Sequence, residues 1–371
     1  MSRSWHVILG LLLCLWLPIA TADEQLTFPA SPRPTTPDSA TDGEENAGQL
    51  VVHGALDTPI MRPILEDFHR RHPGITLRYR NLTTLALHRR FLASPADADV
   101  VISSAMPLQY YLANAGHAMS LDTPAARAWP AWARWRRELF ALTFEPIVMV
   151  VRRDIVERFG RPDNHVALLD LLEQHPKSLQ GRVVTYDPVR SGAGYTYAIA
   201  ESRLSPRYWD LVSALGLVKA DLVETTGEML EGLANGRYLI GYNLLGSYAR
   251  QVVAQDPALI QIIPNDYALV TQRLAFIPRL APHPVNARRF LDYLLSETGQ
   301  RVLAERTPLG AIHPALDGPG TAAALRRSQG EALHPLPLSP GLLATLDELK
   351  RQALLSRWQR EYGRDRSSPA R

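Results

Sequence analysis

The sequence predicts an α/β protein whose mostly parallel sheets are covered by helices on both faces. From residue 49 onward, short apolar segments typical of buried strands alternate with segments of helical spacing. Parallel strands need such helical crossovers, and strands buried on both faces are near-continuous apolar runs. The chain has 371 residues, which is too long for one compact core and suits two units of ordinary domain size.

The first predicted strand covers residues 49–53, and a helix follows at Thr58-Pro59. Thr58 has the character of an N-cap and Pro59 that of a first-turn residue. Apolar residues then recur at helical spacing until His72-Pro73-Gly74 ends the helix. Further strands are predicted over 75–79, 99–103, 144–151, 239–243, 259–263 and 274–278, and helices over 85–92, 107–114, 166–173, 205–215, 226–235, 285–295 and 340–362.

Two segments with many aromatic or apolar residues are predicted to pack against the rest of the protein. Residues 129–135 contain three tryptophans, with arginines close by, and are expected to form a packed surface loop. In the C-terminal helix, Leu342, Leu346, Leu349 and Trp358 share one side, which predicts a packed helix rather than a partner-binding tail.

Residues 183–198, VVTYDPVRSGAGYTYA, are the most informative stretch. They predict a buried strand, a turn and a helix that starts at a Ser-Gly-x-Gly motif. Ser191 is a good N-cap, Gly192 exposes the backbone, and Arg190 adds a positive charge. A helix N-terminus attracts anions through its unpaired N–H groups and its dipole. The alternative is an ordinary strand-to-helix turn capped by serine.

The N-terminal region predicts export from the cytoplasm. Arg3, the apolar run 7–20 and Ala20-Thr21-Ala22 have the order of a secretory signal peptide over residues 1–22. The single cysteine, Cys14, lies inside that run, so the mature chain is expected to contain neither disulfides nor thiol chemistry. Residues 23–48 are rich in Pro, Thr, Ser and acidic residues, which predicts a disordered leader. The expected location is the periplasm.

Several classes of function are disfavoured by the composition and the motifs. The net charge is only +3 at pH 7, and the arginines are spread along the chain, which argues against a nucleic-acid surface. G-x-S-x-G, H-E-x-x-H and P-loop patterns are absent from the sequence, so an enzyme is not expected. His69 and His72 lie among arginines, and no carboxylate cluster accompanies them, so neither a metal site nor a cofactor is expected.

Five stretches together resemble a known family: residues 50–54, 96–116, 187–195, 241–246 and 281–304. They are similar to the periplasmic extracellular solute-binding proteins of bacterial importers, in the branch with ferric-ion, phosphonate and sugar-phosphate binders. The final helix resembles that of phosphoglycerate transport regulatory proteins. This resemblance covers nearly the whole mature chain.

The resemblance implies the type II periplasmic-binding-protein fold, with two α/β lobes joined by two hinge crossings. Lobe 1 would comprise 49–142 plus 275–316, and lobe 2 would comprise 147–270. The hinges would be 143–146 and the stretch after Tyr267. Residues 317–371 would form an extended segment and the C-terminal helix.

In open α/β sheets, ligands bind beyond the carboxyl ends of the strands. Thr83 and Thr84 follow the second predicted strand, in a register that the sequence does not fix. For Thr58 the alternative is a helix cap without ligand contact, and for Tyr242 it is core packing. The predicted ligand-binding residues are Asp57, Thr58, Ser103, Ser104, Arg190, Ser191, Gly192, Tyr242 and Asn243.

The function that the resemblance implies is that of a monomeric receptor closing on a small anionic solute. The solute would be a phosphorylated or carboxylated metabolite, presented to the permease of an ABC-type importer. The first alternative is a sensing subunit that regulates a membrane histidine kinase. A ferric-ion-binding protein is the second alternative; similar ferric sites use two adjacent tyrosines, whereas Tyr242 and Tyr248 are six residues apart.

Overall fold

A computed structural model describes residues 23–31 and 48–364. The predicted signal peptide and residues 32–47 of the predicted leader lie outside the described residues. The strands are β1 (Asp23–Phe28), β2 (Gly48–Gly54), β3 (Ile75–Leu82), β4 (Val100–Ser103), β5 (Arg134–Trp135), β6 (Leu139–Ala141), β7 (Glu145–Arg152), β8 (Val183–Tyr186), β9 (Asp221–Val223), β10 (Ile240–Leu245), β11 (Leu259–Ile262), β12 (Ala268–Thr271), β13 (Leu274–Phe276) and β14 (Leu333–Pro335).

The α-helices alternate with these strands along most of the chain, as the sequence predicted. They are α1 (Thr58–Arg71), α2 (Thr84–Ala93), α3 (Met106–Asn114), α4 (Pro124–Ala128), α5 (Arg153–Phe159), α6 (His165–Gln174), α7 (Pro176–Leu179), α8 (Gly192–Leu204), α9 (Tyr208–Leu217), α10 (Thr226–Ala234), α11 (Gly246–Val253), α12 (Pro284–Leu295), α13 (Glu297–Arg306), α14 (Ala322–Gln329) and α15 (Glu348–Tyr362). Short 3₁₀ helices occupy Pro95–Asp97, Ala131–Ala133, Gly330–Ala332 and Pro340–Thr345.

The first sheet has the strand order β1-β3-β2-β4-β13-β6-β5. Its centre is parallel, because β2 pairs in parallel with both β3 and β4. Strand β13 returns antiparallel between β4 and β6. We call this sheet, with the helices that pack on it, lobe 1.

The edge strand β1 corrects one prediction. Residues 23–28 fall within the segment predicted to be a disordered leader. All six nevertheless pair antiparallel with β3, from Asp23 opposite Leu82 to Phe28 opposite Leu77. Leu26 and Phe28 are partly buried against the core, and the Phe28 ring lies 5.5 Å from that of His69. The open edge of β3 offers unpaired backbone groups that an extended segment satisfies. The prediction of disorder is therefore wrong for these six residues.

The second sheet has the order β14-β12-β7-β10-β8-β9, with β11 also paired to β7. Strands β10, β8 and β9 run parallel, whereas β7 is antiparallel to its partners. Both sheets are thus mixed and flanked by helices. We call this sheet and its helices lobe 2.

The chain passes between the two sheets at two short linkers. It leaves β6 and enters β7 through residues 142–144, and it leaves β12 and enters β13 through Gln272 and Arg273. It returns once more to the second sheet when β14 pairs in parallel with β12. The groups that the linkers carry therefore lie where the lobes meet.

The C-terminal segment differs from the single helix predicted over 340–362. A 3₁₀ helix, Pro340–Thr345, precedes α15, because Asp347 caps a new helix by accepting a hydrogen bond from the Lys350 backbone N–H at 3.0 Å. Trp358 is buried as predicted, but Leu349 is 78% exposed. The predicted packing face is therefore wrong at Leu349.

The segment predicted as a surface loop is more deeply packed than expected. Trp129 is buried, and its ring N–H donates to the Ala141 carbonyl at 2.9 Å. In the described part of the chain, no helix is long and apolar enough to cross a membrane.

Candidate functional site

Five helices of the described chain begin at the boundary between the lobes, which we call the seam, and a sixth, α10, begins beside them in lobe 2. Three of them, α8 from lobe 2 and α2 and α3 from lobe 1, meet at Gly192. A Cβ built on Gly192 would lie 3.1 Å from Thr84 Oγ1, 3.4 Å from Leu85 Cδ2 and 3.6 Å from Ala105 Cβ. The lobes are therefore in contact across the seam at this point.

The other three helices, α1, α10 and α11, are linked by hydrogen bonds. The Asp57 backbone N–H, just before α1, donates to the Tyr248 hydroxyl in the first turn of α11 at 3.1 Å. The Leu245 N–H, just before α11, donates at 3.4 Å to the hydroxyl of Thr226, the first residue of α10. Each helix directs the positive end of its dipole towards this region.

A buried ion pair joins the second linker to the start of β7, directly after the first linker. Arg273 Nε donates to Glu145 Oε1 at 2.9 Å, and both side chains are at most 2% exposed. The Arg273 guanidinium also donates at 2.7 Å to the carbonyl of Ala55 in the loop before α1. Glu145 accepts further hydrogen bonds from the hydroxyls of Thr143 and Ser247. One charge-balanced cluster thus holds both linkers, lobe 1 and the start of α11.

The charge state of this cluster is fixed by its surroundings. Burial lowers the pKa of Arg273, but the charge of Glu145 and the neighbouring Tyr248 raise it more, and the net shift is upward. Burial raises the pKa of Tyr186 to about 12 and also raises that of Tyr248. At neutral pH the seam therefore presents neutral hydroxyls around one paired cation.

Arg273 and Glu145 were not among the predicted site residues. A signal was present, since each is a lone charged residue flanking an apolar strand. It was not specific, because most strands in such folds end at polar residues.

Asp57 and Thr58 lie at the start of α1, with a correction to the predicted cap. Asp57, not Thr58, occupies the N-cap position, and Thr58 is the first helical residue. Asp57 Oδ1 accepts a hydrogen bond from Asn81 Nδ2 at 3.3 Å, which holds the loop. Thr58 is 2% exposed, and its hydroxyl has no hydrogen-bond partner among the described residues. It is the predicted site residue with the clearest unused polar group.

Ser103 and Ser104 lie in the buried turn between β4 and α3. Ser103 Oγ accepts the Ala105 N–H at 3.2 Å, so its hydroxyl shapes the turn. Ser104 is 3% exposed and directly precedes Ala105, which faces Gly192. The structure thus brings this pair close to the lobe 2 helix start.

Ser191 is the N-cap of α8, as predicted. Its hydroxyl accepts the Gly194 N–H at 3.2 Å, and the side chain is buried. Since this hydroxyl is used by the cap, the surface that α8 offers to the seam is chiefly backbone at Gly192.

Comparison with known proteins identifies the family. The sequence profile of the bacterial extracellular solute-binding proteins matches residues 50–306. The chain belongs to this family. No curated protein matches the chain in sequence.

Solved structures of solute-binding proteins share the fold. The substrate-binding protein of an ABC transporter from Agrobacterium tumefaciens is 32% identical, covers 92% of this chain and 99% of its own, and has a TM-score of 0.85. Iron-bound HitA from Pseudomonas aeruginosa is 18% identical over 84% of this chain and 99% of its own, with a TM-score of 0.64. AfuA from Actinobacillus pleuropneumoniae, with fructose 6-phosphate bound, is 16% identical over 85% of this chain and 98% of its own, with a TM-score of 0.66. This is a family of binding proteins, in agreement with the expectation that the chain is not an enzyme.

Arg190 of this solute-binding protein is placed differently from the prediction. Its side chain is 56% exposed and forms an ion pair with Asp187 at 2.7 Å. It also donates to the Leu222 carbonyl at 2.8 Å. Asp187 lies only three residues before Arg190, so this local pair draws the guanidinium to the loop surface. The positive charge of Arg190, which was predicted to lie at the anion site, is therefore paired with Asp187 at the loop surface.

Tyr242 and Asn243 are also placed differently, inside lobe 2. The Tyr242 hydroxyl donates to Glu201 Oε1 at 2.7 Å, and Asn243 Nδ2 donates to Glu201 Oε2 at 2.8 Å. Asn243 has a left-handed backbone, with φ of 67°, where the register of β10 against β7 shifts. The core-packing alternative for Tyr242 is therefore what the structure shows.

Glu201 belongs to a buried network that also includes His165. His165 Nδ1 lies 2.9 Å from Asp266 Oδ1, and its Nε2 lies 3.5 Å from Glu201 Oε1. The His165 ring stacks on Tyr267 with 3.8 Å between centroids. Burial lowers the pKa of His165, but Asp266 and Glu201 raise it more, and the net shift is upward. Within residues 23–31 and 48–364, no group of three or more His, Cys, Asp or Glu side chains is arranged to hold a metal ion.

Proposed function

We propose that this solute-binding protein captures a small anionic solute in the seam and presents it, in the periplasm, to the permease of an ABC-type importer. Phosphorylated or carboxylated metabolites of few carbons are the favoured class. The observation that carries the proposal is the convergence of five helix N-termini on the seam, with α10 beside them.

The charge balance favours an anion over a cation. Arg273 and Glu145 neutralise one another, and the Asp57 carboxylate offsets the start of α1, so the positive potential that would hold an anion comes from the other helix starts. Each contributes about half a positive charge at its N-terminus, carried by backbone N–H groups that bind carboxylate or phosphate oxygens. The Tyr248 hydroxyl accepts from the Asp57 N–H and stays protonated at neutral pH, so its own proton is a further donor.

Thr58 supplies a specific polar contact. Its buried hydroxyl lacks a partner among the described residues, and a buried polar group without a partner costs about 1–3 kcal/mol. A ligand oxygen at the start of α1 would remove that cost. We therefore assign Thr58, Ser104 and the backbone at Gly192 to the ligand site.

Binding would proceed by hinge closure without chemistry. We place the main bodies of the lobes at 49–142 plus 275–316 and at 147–270, with β1 added to lobe 1 and β14 to lobe 2, and with the hinges in the two linkers. A ligand that touches both lobes binds the closed arrangement more tightly than the open one and so shifts the population towards closure. The contact of Gly192 with Thr84 and Ala105 supports a closed arrangement in which α8 completes the site.

The similar proteins support the membrane partner and not the class of solute. AfuA has fructose 6-phosphate bound and HitA has iron bound in the same fold, so these structures do not choose between an anion and a metal ion. The Agrobacterium tumefaciens protein serves an ABC transporter, which favours an importer over a sensor kinase. Adjacent permease and ATPase genes would agree with this choice, whereas an adjacent histidine kinase gene would favour sensing.

A thermal-stability screen tests the ligand class. The panel contains phosphate esters, phosphonates, di- and tricarboxylates, neutral sugars, amino acids and ferric ion. A ligand present at about 100 times its Kd stabilises the folded protein by about 2.7 kcal/mol. We expect a rise in Tm with at least one phosphorylated or carboxylated compound. A rise with neutral sugars or ferric ion alone would contradict the proposal.

A further inference from the structure

The final part of the chain, residues 333–362, contacts both lobes, and we call it the C-terminal strap. It starts beside a linker, where β14 pairs with β12. The Leu336 N–H donates to the Val270 carbonyl at 2.9 Å, and Gln272 Nε2 donates to the Leu336 carbonyl at 3.1 Å. Its first anchor is therefore on the hinge itself.

The middle of the strap connects one helix of each lobe. Its 3₁₀ helix, Pro340–Thr345, packs against α3 of lobe 1, and Leu342 and Thr345 are buried. The hydroxyl of Tyr195, on α8 of lobe 2, donates to the Thr345 carbonyl. Since α3 and α8 both begin at the seam, this turn bridges the seam beside the proposed ligand site.

The end of the strap is fixed on lobe 2. Trp358 is 5% exposed, and its ring N–H lies 3.2 Å from the Tyr208 hydroxyl of α9. The backbone of α15 approaches α9 so closely that a Cβ on Gly216 would lie 1.7 Å from the Tyr362 carbonyl oxygen. This anchor tolerates little displacement.

We propose that the strap is a third connection between the lobes that limits their opening, with Tyr195 as its positioning residue. Hinge opening moves α8 away from α3, while the strap is held on both. Wide opening therefore requires either the Tyr195–Thr345 hydrogen bond or the Trp358 anchor to release. The strap keeps the ligand-free protein near the closed arrangement and thereby sets how much of it is competent to bind. This inference rests on the two-lobed architecture and not on which ligand is bound.

The test measures the distance between the lobes without ligand. Spin labels are placed at Leu92→Cys in lobe 1 and Val189→Cys in lobe 2, both exposed positions, in a chain carrying Cys14→Ser. Double electron–electron resonance then compares three further substitutions. Tyr195→Phe removes the seam hydrogen bond, Trp358→Ala removes the lobe 2 anchor, and Leu349→Ala is the control on the exposed side of α15.

We expect a longer-distance population in Tyr195→Phe and a larger one in Trp358→Ala, with Leu349→Ala unchanged. Amide hydrogen exchange in the first turns of α3 and α8 should rise in the same order, by about tenfold in Trp358→Ala. Unchanged distances in both anchor variants would overturn the proposal, as would an equal shift in Leu349→Ala. Should Trp358→Ala lose its cooperative thermal transition, the outcome for Tyr195→Phe decides.

Discussion

Strands β8 and β10 of the second sheet run parallel and side by side, but the polar residues they carry do different things. The loop after β8 brings Ser191 and Gly192 to the seam. The middle of β10, where its register against β7 shifts, turns Tyr242 and Asn243 towards Glu201 inside lobe 2. Position at a strand end thus places a loop, but a buried partner decides where the side chains point.

The physical reason lies in Glu201, which is 1% exposed. A buried carboxylate is costly unless it is hydrogen-bonded or paired. Tyr242, Asn243 and His165 supply the partners, and their polar atoms are used there. At the end of β8 the serine is used by the helix cap, so the backbone is what remains for a ligand. Changes in the Glu201 network should therefore affect stability, and changes at Gly192 should affect binding.

The largest effect is expected for Glu201→Leu. It leaves the Tyr242 hydroxyl and the Asn243 amide buried without an acceptor, so we expect the free energy of unfolding to fall by about 3–5 kcal/mol. Urea unfolding measures this change. Ligand affinity of the protein that remains folded should stay within about twofold. If Glu201→Leu instead lowered the ligand affinity and left the stability unchanged, Tyr242 and Asn243 would have to be assigned to the ligand site.

A large effect on binding is expected for Gly192→Leu. The new side chain would press against Thr84 and Leu85 across the seam and hold the lobes apart. We expect ligand affinity to fall at least about 100-fold, equivalent to about 2.7 kcal/mol, in isothermal titration calorimetry. Gly318→Leu, in the loop before α14, is the matched control, since a Cβ there would meet nothing within 4 Å. Equal affinities of the two variants would show that α8 is an ordinary capped turn.

A smaller effect is expected from pH, through His165 and Asp266. The folded-state pKa of His165 is raised, so its stabilisation is fully present below the unfolded-state value of about 6.5 and is lost as the pH rises through the folded-state value. Burial raises the pKa of Asp266, but its hydrogen bonds with His165 lower it more. Its contribution is therefore present above about pH 3.9 and is lost as the pH falls further.

Urea unfolding at about pH 6 and about pH 8.5 measures the His165 contribution. Burial lowers the pKa values of His72, His88 and His313, and these act in the opposite direction, so the test compares the variant with the wild type. His165→Gln should lose more stability at the lower pH than at the higher one. A His165→Gln protein with the wild-type pH dependence would show that this network does not link protonation to stability.

The smallest effect is expected for Arg190→Ala. Its ion pair with Asp187 is largely exposed, and such pairs contribute about 0–1 kcal/mol. The Tm and the ligand affinity should both stay close to those of the wild type. A tenfold loss of affinity would show that Arg190 leaves Asp187 and contacts the ligand.

The sequence predicted most strands and helices because apolar periodicity and helix caps are local signals. The Ser191 cap and the strand over 239–243 are examples. It did not predict the edge strand β1, because the composition of residues 23–48 as a whole suggests disorder and hides the alternating Leu26 and Phe28.

The site was predicted at the level of loops and less well at the level of side chains. Glu201 accepts hydrogen bonds from Tyr242 and Asn243, which are 41 and 42 residues away in the sequence. Arg273 donates to Glu145, which is 128 residues away. Such long-range pairs have no periodic or local signature in one sequence. Only the fold reveals them.

The most direct test of the anion site is a crystal structure of the protein with the solute that gives the largest thermal stabilisation. We expect an anionic group in the seam, with its oxygens accepting hydrogen bonds from the first-turn backbone of α8 at Gly192 and from the Thr58 hydroxyl. A ligand bound outside the seam, or one that presents no negative charge to these groups, would contradict it.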